Sequence, residues 1–82
     1  MVAHRYAAAG DEPSFPLLGR DPMAGILIRV WAKLREDAGE DPATIEEALF
    51  IAASCERYAI SLGKEAKVRA AVESLKSLAA PP

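Results

Sequence analysis

The sequence predicts an all-α fold: a small three-helix bundle, entered by an extended arm and suited to self-association. Three observations carry this. Asp-Pro occurs twice as a helix start, at Asp21–Pro22 and Asp41–Pro42. Gly39 and Gly63 stand where helices would end. Apolar residues recur at helical spacing in three stretches. With 82 residues the chain is one domain at most, divided here into a flexible arm over 1–13 and a single helical domain over 14–82.

The arm, "MVAHRYAAAG" and the three residues after it, has no apolar run long enough for a secretory signal. "SFPLL" then reads as extended chain, because Pro16 fixes its own φ and pushes Phe15 out of the helical region. The segment 12–25 holds three prolines and two glycines, yet also Phe15, Leu17, Leu18 and Arg20.

In the first helix Asp21 can cap and Pro22 takes the first position, where a missing N–H costs nothing. At 100° per residue, Met23, Leu27, Val30, Trp31, Leu34 and Ala38 fall on one side, read as the core side, and Arg29, Lys33 and Glu36 on the other. The second helix repeats the start at Asp41. Its inner face is Ile45, Ala48, Leu49, Ala52, Cys55, Ala59 and Leu62. Phe50 falls on its polar side, among Glu46, Ser54, Arg57 and Ser61. The third stretch carries Val68, Ala71, Val72, Leu75, Leu78 and Ala79 on its stripe and charge elsewhere.

Helices two and three could instead be one long rod, giving a two-helix protein. If the helical phase is run through Gly63, their stripes lie roughly 160° apart. A turn at Gly63 resolves the conflict, since glycine suits the left-handed residue after a helix, and is preferred. A rod whose two faces are covered in an oligomer is the alternative.

Net charge is −2, which does not mark the chain as a binder of nucleic acid polymers. The charge is uneven. Residues 35–47 carry six acids against Arg35, and residues 57–76 carry five bases against Glu65 and Glu73. This reads as two solvated faces or as charge for pairing between segments or subunits. The single Cys55 rules out an internal disulfide and fits a cytoplasmic setting. No apolar run reaches the length of a membrane span.

Catalysis is not expected. The one histidine, His4, lies in the arm, and Cys55 is read as a small buried hydrophobe. Ligand counts fail for a metal, and no cofactor motif is present. The candidate ligand site is the start of the first helix. There the N–H groups of Ala24 and Gly25, the helix dipole and Arg20 favour an anion, Arg29 and Lys33 add charge, and Phe15 offers a ring for stacking. Such a site suits a phosphorylated molecule with an aromatic part. The plainer reading is a plug, in which Phe15, Leu17 and Leu18 close the bundle and nothing binds. A candidate oligomer interface comprises Phe50, Arg57, Val68, Val72 and Leu75.

Glu12, Pro13, Phe15, Leu17, Arg20, Asp21, Pro22, Ala24, Arg29, Trp31 and Ala32 form a pattern that resembles small helical accessory proteins of bacteriophages and prophages. Pro16 and Gly25 depart from it, standing where an aliphatic residue and a proline are expected. The resemblance covers about a quarter of the chain. It implies a non-enzymatic protein. By looser analogy it implies an oligomeric anti-defence sponge that sequesters a cyclic-nucleotide or NAD-derived signal. The alternative is a protein-binding adaptor, inhibitor or scaffold module with no small-molecule ligand.

Overall fold

The structure, a computed structural model, describes residues 9–79. It contains three helices, α1 (Ala24–Asp37), α2 (Pro42–Ser61) and α3 (Glu65–Ala79). His4 and the closing prolines lie outside the described residues.

Two glycines make the bundle. Gly39 and Gly63 both adopt positive φ, +86° and +80°, a conformation other residues reach only with strain. Around each, the chain closes the double hydrogen-bond pattern of a glycine-terminated helix. Glu40 N–H donates to Arg35 carbonyl and Gly39 N–H to Glu36; Lys64 N–H donates to Ala59 and Gly63 N–H to Ile60. The rod alternative is thereby excluded: α2 and α3 are separate helices.

The two Asp-Pro starts do not behave alike. At α2 the Asp41 carboxylate accepts from Ala43 N–H at 3.2 Å, with Pro42 at the first position, as expected. At α1 the Asp21 side chain accepts from Met23 N–H at 2.8 Å and its carbonyl from Ala24 N–H at 3.1 Å. These bonds hold a turn, and α1 begins only at Ala24, behind an N-cap at Met23. That turn takes up Pro22 and Met23, which the sequence assigns to the helix, and it follows another closed by Asp21 N–H on Leu18 carbonyl.

α1 and α2 pack antiparallel as the closest pair, and α3 meets α2 more sparingly. The core is made of small residues. Ala24, Ala32, Ala48, Ala52, Ala59 and Ala71 are buried, with Ile45 the one large aliphatic among them, and no described large side chain is fully enclosed. Small residues let helix axes approach closely, and this overturns the expected core side of α1. Of that side Met23, Leu27, Trp31, Leu34 and Ala38 are exposed, Leu34 to 64%, and only Val30 is half-buried. The side against α2 is instead Ala24, Gly25, Ile28 and Ala32. On α2, Leu49 and Leu62 are likewise exposed and Cys55 is half-buried. The α3 stripe is as read: Ala71 is buried and Val68, Val72 and Leu75 are half-buried, although Leu78 is exposed. No described helix is long and apolar enough to cross a membrane.

Candidate functional site

The residues assigned to an anion site separate into two places. Around Gly25 the site is filled by the protein's own carboxylate. Arg29 Nε donates to Glu56 Oε2 at 2.9 Å and Nη2 to Glu56 Oε1 at 2.7 Å, a two-pronged pair between α1 and α2. Glu56 lies flush on the α1 backbone: a Cβ on Gly25 would stand 2.4 Å from its Cγ and 2.8 Å from Oε2. The Arg29 hydrogen bond holds the Glu56 carboxyl below its usual range, against the opposing effect of burial. The same bond raises Arg29. Here glycine, with no side chain, makes room for this carboxylate.

The other assigned donors are also engaged. Ala24 N–H bonds to Asp21 carbonyl, Ala24 and Gly25 are both buried, and Lys33 Nζ donates to Asp37 at 3.0 Å with Glu36 at 3.9 Å. Arg20 is exposed at the far end of α2, where Gly19 rests on the Tyr58 ring and Lys64 Nζ donates to Arg20 carbonyl at 2.7 Å. Its guanidinium pairs with no described residue. Burial pushes the Cys55 thiol up, and Glu56 adds to the effect, which disfavours the thiolate. No group of three described His, Cys, Asp or Glu side chains is placed to hold a metal ion.

Phe15 belongs to a different feature, an apolar groove of about 520 Å³. The extended segment forms one wall with Phe15 and Leu17; α1 supplies Leu27, Ile28 and Trp31. From α2 come Ala48 and Ile51, with Thr44 and Glu47 as the polar members. Arg20, Arg29 and Lys33 are not among the lining residues, and the one charge is an acid. Phe15 itself is 80% exposed, so its ring stands at the rim. Leu17, half-buried, anchors the segment, whereas Leu18 is half exposed. The Arg35 guanidinium sits 5.7 Å from the centroid of the Trp31 ring and is itself held by Glu40.

The oligomer candidates split too. Phe50 and Arg57 lie exposed on the outer side of α2, while Val68, Val72 and Leu75 face into the bundle. Between α1 and α3 runs a second apolar cleft of about 190 Å³, where Met23, Leu27 and Val30 face Ala71, Leu75 and Leu78. Leu27 therefore borders both clefts.

Sequence reasoning missed the Glu56 pair because its members are 27 residues apart. A glycine in the first turn of the helix, four residues before Arg29, is the signal that could have located a close approach there. Scans against protein-family models, curated proteins and solved structures found no match.

Proposed function

We propose that the chain is a non-enzymatic protein-interaction module whose docking surface is the groove between α1, α2 and the segment 15–17. The observation behind this is the lining of that groove: among the described residues, aromatic and aliphatic side chains, a single acid and no cation. An amphipathic helix with apolar anchors at i, i+3, i+4 and i+7 suits such a surface. A phosphate would meet Glu47 there, and two of the expected cations, Arg29 and Lys33, are held by Glu56 and Asp37. Of the two readings the sequence left open, adaptor or nucleotide sponge, the groove chemistry favours the first. In the phage setting the resemblance implies, the natural role is an adaptor for, or inhibitor of, another protein.

Trp31 is the one tryptophan of the chain and lines the groove, so its emission reports occupancy. Selection of displayed helical peptides on the wild type is expected to enrich one-sided apolar helices. These should shift Trp31 emission to the blue and lose binding to Ile51→Arg. Calorimetric titration with cyclic and linear nucleotides and ADP-ribose-type signals is the opposing arm. Nucleotide heat that vanishes in Arg20→Ala, with no groove peptide recovered, would reverse the choice.

A further inference from the structure

Resting on the reading of this face as a docking surface, we infer that its occupant is a second copy of the chain, packed α1 against α1 in an antiparallel two-fold arrangement. The first support is shape. Met23, Leu27, Val30 and Leu34 follow one another at intervals of four, three and four, the spacing of a helix–helix seam. In the single chain Met23, Leu27 and Leu34 of this seam are exposed and Val30 is half-buried, so the seam forms a partly open ridge with an apolar cleft on either side and Leu27 bordering both. A ridge beside a groove is self-complementary under a two-fold axis, each copy seating its ridge in the other's groove.

Area gives the second support. Phe15, Met23, Leu27, Trp31, Leu34 and Ile51 are all exposed large hydrophobics. At ordinary side-chain areas their exposed parts amount to roughly 700 Å², close to the ~800 Å² each partner gives to a standard interface. Meanwhile the single chain encloses an alanine core with no large side chain fully buried, and small domains of that kind gain stability by association.

Charge selects the antiparallel sense. Glu46 and Glu47 lie near the start of α2, beside the end of α1, and take part in no ion pair among the described residues. Arg20 and Lys64 meet at the opposite end, likewise without a carboxylate partner. Antiparallel packing brings the acidic end of one copy to the basic end of the other. Parallel packing sets like charge against like, which disfavours it.

Sedimentation equilibrium and light scattering on the full chain test this, with circular dichroism to check helix content. The wild type is expected to be a dimer at tens of micromolar. Leu34→Asp, at an exposed position, should stay helical and weaken the dimer on the order of 100-fold, a buried charge at the seam. Glu47→Arg and Arg20→Glu should each weaken it about 10-fold, and the double variant should recover most of that loss. A helical Leu34→Asp that dimerises like the wild type overturns the seam, and failure of the double variant to recover overturns the antiparallel sense. A wild type that is monomeric at 100 μM on this order-of-magnitude scale but still shifts Trp31 emission with groove peptides overturns self-pairing alone. A monomer with no peptide response overturns the docking reading as well.

Discussion

The two long sides of α1 invert the usual relation between size and burial. Packed directly on α2 are Ala24, Gly25 and Ala32, all buried; beside them, along the groove toward α2 and the cleft toward α3, stand Met23, Leu27 and Trp31, with Leu34 further along, all exposed. Within one chain the small side holds the fold, because it lets α1 and α2 come close enough for Ala48 and Ala52 to be buried against it and for Glu56 to reach the α1 backbone. The large side keeps apolar area exposed among the described residues, between the groove toward α2 and the cleft toward α3. A hydrophobic stripe thus marks where a helix needs a partner, and that partner need not be the nearest helix of the same chain.

The sharpest way to break this contrast is to enlarge the small side. Ala32 is 1% exposed and packs with Ile45 and Ala48. Ala32→Leu should lower the unfolding free energy by about 1–3 kcal/mol through overpacking, read from urea denaturation. A stabilised variant would mean that the α1–α2 contact is looser than the buried alanines imply.

A smaller effect belongs to the charged pair on the same side. Glu56→Gln removes the charge that Arg29 grips, and because both side chains are partly exposed the cost at neutral pH should be about 1 kcal/mol, near the upper end for exposed pairs. The sign with pH follows from the depressed Glu56 carboxyl. Its contribution is present above the unfolded value near 4.5 and is lost as pH falls through the lower folded value. Wild type and Glu56→Gln should therefore converge in stability on acidification. A difference that holds constant into the acid range would remove Glu56 as the titrating group.

What was legible follows the same division between local and distant causes. The glycine stops at Gly39 and Gly63 and the Asp41 cap rest on bonds spanning a few residues, so the sequence carries them openly. So does the all-α class, and the separation of α2 from α3 follows from the phase of their stripes. The core side of α1 was misread because periodicity weights side chains by size, whereas close helix packing is made by alanine and glycine. The residues of the expected anion site are divided between the α1 start and the separate groove that Phe15 borders. The occupant of the α1 start, Glu56, comes from another helix, and nothing in the spacing of a single segment announces it. The groove was half visible: Phe15 was singled out, but as a neighbour of Arg20 rather than of Trp31 and Ile51.

The smallest expected change is on the large side, and it separates the fold from the assembly. Leu34→Ala removes most of a leucine side chain. At a buried site that costs about 2–5 kcal/mol. Here Leu34 is 64% exposed, so in solution dilute enough to dissociate the proposed dimer the loss should stay within about 0.5 kcal/mol, the range of surface substitutions. Alanine is also the better helix former, which offsets part of it. As protein concentration rises, the wild type should gain stability by mass action while Leu34→Ala lags behind, because folding and pairing are linked when only the folded chain pairs. Denaturation series at increasing protein concentration read both quantities. The two proteins should coincide at the dilute end and separate progressively toward the concentrated end. A loss of several kcal/mol already at the dilute end would place Leu34 in the core of the single chain and return α1 to the orientation its hydrophobic stripe suggested.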